Sequence, residues 1–297
     1  MIPLVKLKRE VEFNVELKSI LNALKGIALN RFYALQRQLT VFDRFPALAG
    51  DILSGIPLEN IDHPYVRPAT QRPVVLMVTT DSGFMGSLNA QIVNAGIAEA
   101  GAEGYLAVIG EKGMGLIGDQ RRETKLFPGI KEKTQSKLAT EVCEFLLGKI
   151  LSGECGRLIV VFPKPISLAL QEVTVETVLP CSTWLATEKN TAAAQDVIWE
   201  SEPKDMLAYV MTFWVENRLD SVFAMSRVSE LAARVMHLEG SIQELTLQGK
   251  HLKHQYFKTR HAMIDRSMRE VFASQLLLSE VNQMLAAEEE SGGGPLP

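Results

Sequence analysis

Cysteine is scarce in this 297-residue chain: there are three, at Cys143, Cys155 and Cys181. They form neither a C-x-x-C pair nor a dense framework, and an odd count fits a reducing compartment better than a secreted one. All three read as buried packing residues. A basic excess is missing too: 31 Lys and Arg stand against 35 Asp and Glu, a net charge of −4. That argues against a protein whose main task is to coat nucleic acid, because phosphate contacts need a basic surface. No uninterrupted apolar run is long enough for a membrane-spanning helix. The first residues, Met1-Ile2-Pro3-Leu4-Val5-Lys6, soon meet Lys8, Arg9 and Glu10, which leaves no apolar core of the length a secretory signal needs. Gly-x-Ser-x-Gly, His-Glu-x-x-His and a catalytic cysteine context are all absent, so the sequence offers no self-contained active site. Proline is absent between Pro203 and about Glu290.

That last absence points to what is present. Beyond Pro203, apolar residues recur as Leu207, Val210, Trp214, Val222, Met225, Val235, Ile242, Leu245, Leu252, Tyr256, Met263 and Val281, mostly three, four or seven apart. This is a helical period. Pro203 suits a first helical turn, and Glu200 and Glu202 put negative charge near that end. Roughly 80 residues at about 1.5 Å each would span on the order of 120 Å, far beyond a globular helix, so this helix needs a partner. The other chain end supplies one. Leu17, Ile20, Leu21, Leu24, Ile27, Ala28, Leu35 and Leu39 predict a helix over residues 4 to about 57, interrupted near Phe45-Pro46.

Between the two ends, residues 59–72 read as a linker, and the pattern then alternates. Apolar, β-branched runs at 74–79, 105–109, 158–162 and 171–179 predict strands. Residues 88–102 and 137–151 predict helices, and Gly110 to Gly115 reads as a turn into a short helix. Strands apolar on both faces and separated by helices imply a small, mostly parallel sheet covered on two sides. The expected fold class is α/β: a long antiparallel coiled coil of the N- and C-terminal helices, with an inserted small Rossmann-like domain. The expected divisions are 1–58 and 203–290 for the coil, 73–195 for the α/β domain, and 291–297 for a disordered tail.

Three places invite a chemical reading. Thr79 to Asn89 is a glycine-containing turn between the first strand and a helix, where backbone amides can cradle a phosphate. It matches neither standard nucleotide-binding pattern, so tight turning and close packing are the better account. His251 and His254 stand three apart on one helical face, but no third ligand joins them at helical spacing; a solvated face is the better account. Lys250, Lys253, Lys258, Arg260, Arg266 and Arg269 cluster late in the long helix. They form either a solvated face or a positive collar that meets an acidic partner.

Several segments then resemble one family, in order and with matching spacing. Thr80-Asp81-Ser82-Gly83-Phe84-Met85-Gly86-Ser87-Leu88-Asn89 is similar to T-D-R-G-L-C-G-x-L-N. Leu106 to Gly113 is similar to a strand ending in I-G-x-K-G. Trp199-Glu200-Ser201-Glu202-Pro203 is similar to Y-E-P-x-P, Ser229 to Val235 to S-E-x-A-A-R-M, and Tyr256 to Ala262 to Y-N-K-A-R-Q-A. The family is the gamma subunit of F-type ATP synthases. Ser82, Phe84 and Met85 replace its Arg, Leu and Cys; Leu17 to Leu24 replaces its T-Q-K-I-T-K-A-M; Ile264-Asp265-Arg266-Ser267 replaces its I-T-Q-E. The chain also runs about twenty residues past the family's usual end, through Leu276, Val281 and Leu285. The resemblance implies a diverged gamma subunit, of a housekeeping or an alternate complex.

It further implies a non-catalytic central stalk without cofactor or metal. The coil would lie in the bore of an alpha–beta hexamer. The α/β domain would be a foot on the membrane c-ring that binds the epsilon subunit, in a complex on the cytoplasmic face of a bacterial inner membrane. Arg260, Asp265 and Arg266 are the expected hexamer contacts, and Trp199 and Glu200 the expected foot contacts. The shaft's outer face is expected to be of low hydrophobicity. A non-rotary coiled-coil scaffold, a nucleotide-dependent α/β enzyme with helical arms and a regulatory gamma paralogue stay open on the sequence.

Overall fold

The structure, a computed structural model, describes residues 3–42, 61–118, 123–181 and 202–291. Its elements are α1 (Leu4–Phe42), β1 (Pro73–Val78), α2 (Leu88–Ala100), β2 (Tyr105–Ile109), α3 (Glu111–Ile117), β3 (Thr124–Phe127), α4 (Gln135–Leu151), β4 (Arg157–Pro165), β5 (Gln171–Leu179) and α5 (Pro203–Ser291). The expected helix beyond Phe42, its break at Phe45-Pro46 and the expected disordered tail lie outside the described residues. The chain divides into two compact units: residues 1–22 with 241–297, and residues 23–240.

The larger unit is built on a five-stranded sheet of order β3-β2-β1-β4-β5. The first four strands are parallel, and β5 returns antiparallel to β4. β1 lies at the centre and is buried on both faces, which its run Val74-Val75-Leu76-Met77-Val78 requires. Its side chains alternate between two cores. Val74, Leu76 and Val78 face α4 and the first turns of α5, through Val142, Leu146, Met211, Val215 and Phe223. Val75 and Met77 face α2, through Ile92 and Val93. Gly96 of α2 lies where any side chain would meet the Met77 thioether, so the helix can approach the sheet closely. β3 was not expected. Two of its four residues are exposed and none is β-branched except Thr124, so it carries little strand signal.

A third core in this unit joins α1 to α5. Ala28 and Phe32 pack on Val228, Leu231, Ala232 and Val235. Lys25 Nζ reaches Glu239 Oε2 at 2.7 Å beside it. The pairing is antiparallel, since position 25 meets 239 while 28 and 32 meet lower numbers. The helices also hold the sheet through polar links. Arg218 donates from Nε and Nη2 to the two carboxylate oxygens of Glu176, at 2.8 and 2.6 Å. Ser229 Oγ donates to the Pro163 carbonyl at 2.9 Å.

In the smaller unit the start of α1 again runs antiparallel to α5. Asn14 lies against Gly249, and Leu4 shares a groove with residues between Arg260 and Gln275. Among the described side chains of α1 the buried positions are Leu7, Asn14, Leu21 and Ala28, spaced by seven, followed by Phe32. Seven-residue spacing is the mark of a coiled-coil seam. The expected stripe differs from this one. Ile20, Leu24 and Ile27 are exposed. Leu21 and Ala28 of the expected stripe do lie on the seam, which also carries a polar Asn14 that a count of apolar residues passes over.

Candidate functional site

The turn from β1 into α2 is held from inside. Thr79 Oγ1 donates to the Ile109 carbonyl at 2.5 Å, tying the ends of β1 and β2 together. The carboxylate of Asp81 accepts the Glu111 N–H at 2.9 Å and the Gly129 N–H at 3.1 Å. Asn89 Nδ2 donates to Thr80 Oγ1 at 3.2 Å. Gly110, at φ +94°, lets the next turn pass against the Thr80 backbone, where a Cβ would come within 2.7 Å. Gly86 also has positive φ, as does Phe84 at +65°, a conformation that strains a residue with a side chain.

This geometry argues for the structural reading of the turn. Backbone N–H groups from α3 and from the segment after β3 are taken by the turn's own Asp81 carboxylate, which ties the three segments together. The cavity behind the turn holds about 210 Å³ and is lined by Asp81, Lys131, Arg227 and Glu230 among others. Burial raises the Glu230 carboxyl above the usual range, against the opposing pull of Arg234. An open groove of about 700 Å³ on the other side is bordered by Asp81, Glu111, Lys112 and His237.

The cysteines are buried. Burial pushes the Cys143 thiol up to about 12, which leaves it un-ionised and inert at neutral pH. His251 shares a 3.0 Å hydrogen bond with Gln255 on an exposed helix face. No cluster of three metal-ligating side chains occurs among the described residues, and no helix among them is long and apolar enough to cross a membrane.

The expected hexamer contacts lie on the smaller unit. Arg260, Asp265 and Arg266 are all exposed. At about 100° per residue, Asp265 sits roughly 140° around the helix from Arg260, and Arg266 about 100° further. The structure therefore does not gather them on one face. Arg266 Nε pairs with Glu270 at 2.9 Å in a solvated i, i+4 link; Arg260 borders the groove that also contains Leu4, Met263 and Met268. Trp199 and Glu200 lie outside the described residues.

The surface around those charges was missed by the sequence reading. Met263, Ile264, Met268, Val271, Phe272, Leu276, Leu277, Leu278 and Val281 are all exposed. The expected low hydrophobicity of the outer face is thus corrected for this stretch of α5. The signal was available: three consecutive leucines cannot all face one seam on a helix.

A family model described as ATP synthase matches residues 4–275. The gamma chain of a Picosynechococcus strain is 24% identical, over 86% of this chain and 93% of that one. The gamma chain of Mycoplasmopsis pulmonis is 23% identical, over 92% of this chain and 99% of that one. Among solved structures, a chain of the Euglena gracilis mitochondrial ATP synthase rotor matches with a TM-score of 0.63 at 17% identity, covering 88% of this chain and 98% of that one. A chain from the central stalk and c-ring of the Tetrahymena thermophila mitochondrial enzyme matches with a TM-score of 0.55 at 20% identity, covering 75% and 99%. These structural likenesses speak to the fold. The chain belongs to the ATP synthase family, and the curated relatives it is similar to are gamma chains.

Proposed function

We propose that this protein is the rotating, non-catalytic shaft that couples ion flow through a membrane ring to ATP synthesis or hydrolysis in an alpha–beta hexamer. One observation carries the reading. A single helix of 89 residues, Pro203–Ser291, forms core with the α/β sheet in its first turns and presents an exposed apolar surface between Met263 and Val281. A rotor needs both properties: a firm grip on a broad body, and a free end that engages other subunits.

Its partners are the alpha and beta subunits, the c-ring and the epsilon subunit. Arg260, Asp265 and Arg266 contact the hexamer, and Trp199 and Glu200 lie at the foot. Residues 1–58 and 203–290 make up the shaft, and 73–195 the foot. The complex is peripheral to a membrane, on the cytoplasmic face of a bacterial inner membrane. The exposed spread of the three charges around α5 supports contact with several surfaces in turn, which a rotating shaft requires.

Native mass spectrometry of the chain co-expressed with the alpha and beta subunits tests this. One copy in an assembly of three alpha and three beta subunits, with ATPase activity that depends on it, is the expected result. A chain that stays monomeric beside an intact hexamer would overturn it.

A further inference from the structure

The segment that leads into β1 is pinned by one buried histidine. His63 is 6% exposed and Tyr65 1%. The Tyr65 N–H donates to His63 Nδ1 at 3.2 Å, and the two rings meet edge to face at 4.5 Å. The His63 carbonyl accepts the Val66 and Arg67 amides, both at 2.9 Å, which closes the turn. Tyr65 then ties this turn to the body of the larger unit. Its carbonyl accepts the Cys181 N–H, just past β5, at 2.9 Å. Its phenol pairs with the Thr212 side chain of α5, and its ring lies in the core that α4 and α5 share with the sheet.

A backbone N–H can only donate, so Nδ1 is the lone-pair nitrogen of a neutral ring. An imidazolium carries a proton on both nitrogens and keeps no acceptor. The bond to Tyr65 and a charged ring therefore exclude each other. The surroundings oppose the charge as well. Lys204, in the first turn of α5, is the charged group that acts on the ring from that helix. The start of a helix is also its positive end. On the ring's own segment the titratable neighbour is Tyr65, and behind Tyr65 stands the Cys143 thiol of α4, which burial keeps protonated. Among the described residues no carboxylate acts on the ring to hold a positive charge. Burial, and after it Lys204, lower the His63 pKa from the ordinary 6.5.

We infer that His63 is a proton-operated latch: the neutral ring holds Tyr65 in the core, and protonation releases the turn at residues 63–67 from the end of β5 and the start of α5. The latch goes beyond the rotor reading and does not depend on it. Two effects act together on protonation. The Tyr65 amide loses its acceptor, and the new charge is repelled by Lys204. The unfolded chain takes up this proton first. The latch therefore contributes its full stability above pH 6.5 and loses it as the pH falls from there through the lowered folded-state value.

Hydrogen exchange resolved at single amides tests this on the full chain. Tyr65 and Cys181 are followed at about pH 7.5 and about pH 5, on either side of a histidine's titration. Labelling times are scaled so that the chemical exchange rate contributes equally at both. Protection of the two amides is expected to fall about tenfold or more at the acid pH, while the β1–β4 ladder keeps its own. His63→Asn supplies a side-chain oxygen for the amide two residues on and cannot titrate. It is expected to hold the protection at both pH values. Unchanged protection in the native chain would overturn the inference. So would an equal acid loss in His63→Asn, which assigns the loss to another group. Nitrogen chemical shifts of His63 in the native chain give a readout that needs no variant. A lone-pair Nδ1 at neutral pH is expected, and a proton on Nδ1 there would overturn the latch even if His63→Asn failed to fold.

Discussion

The carboxamide of buried Asn14 lies over Gly249, so that a Cβ at 249 would sit 2.5 Å from Asn14 Oδ1. The glycine is the hole into which the polar residue fits. A single Asn at a seam position fixes register at a cost in stability. Here the missing side chain on the facing helix leaves room for the Asn14 carboxamide in that register.

Gly249→Ala is therefore expected to destabilise the pairing of the two chain ends. Overpacking costs about 1–3 kcal/mol, against a helix-propensity gain of about 1 kcal/mol. Combining it with Asn14→Ala should recover most of the loss. Urea unfolding of the four chains, followed by helical circular dichroism, measures both effects; additive losses would show that the two residues do not interact.

Gly240 makes the opposite case. A Cβ there would meet nothing within 4 Å. Gly240→Ala should raise thermal stability, by about 1 kcal/mol from propensity alone. A loss would show that the position is less open than the geometry requires.

Asp81→Ala removes the acceptor for the Glu111 and Gly129 amides. Glu111 is exposed and water can serve its amide, so the cost falls mainly on the buried Gly129 donor, at about 1–3 kcal/mol. Hydrogen exchange should accelerate selectively at those two amides, while the β1–β2 ladder stays protected.

The fork between Arg218 and Glu176 has side chains only 21% and 25% exposed, so solvent screens it little. A double-mutant cycle with Arg218→Met and Glu176→Gln should return a coupling of about 1–2 kcal/mol. A coupling near zero would reduce the pair to a surface contact.

Cys143 gives a pH dependence of known sign. Its folded-state thiol titrates at about 12, above the ordinary value of 9.0. The unfolded chain thus releases that proton first. Stability from this group is complete below about pH 9 and falls as pH rises towards about 12. At neutral pH a thiol reagent should find no reactive cysteine in the native chain and three after unfolding.

Much of the fold could be read from the residues, for identifiable reasons. β1, β2 and β4 announce themselves because a strand buried on both faces must be continuously apolar. The last helix does so because nothing in it breaks the helical period. β3 was hidden because an edge strand needs no such run. The seam of α1 was read in part: Leu21 and Ala28 stand in the expected stripe, but Asn14 is a seam residue that no apolar count selects, while Ile20, Leu24 and Ile27 are apolar residues that this chain leaves exposed. The candidate site divides the same way. Arg260, Asp265 and Arg266 were visible as charges, but their dispersal around α5 follows only from helix geometry, and the apolar surface among them was overlooked.

Rotation itself tests the central claim most directly. A complex of this chain with its alpha and beta subunits would be fixed to glass through the hexamer, with a gold bead attached at Lys133→Cys, an exposed position of the α/β unit. On addition of ATP the bead should turn in one direction, pausing at three positions in each revolution. A complex that hydrolyses ATP at full rate while the bead stays still would contradict the account.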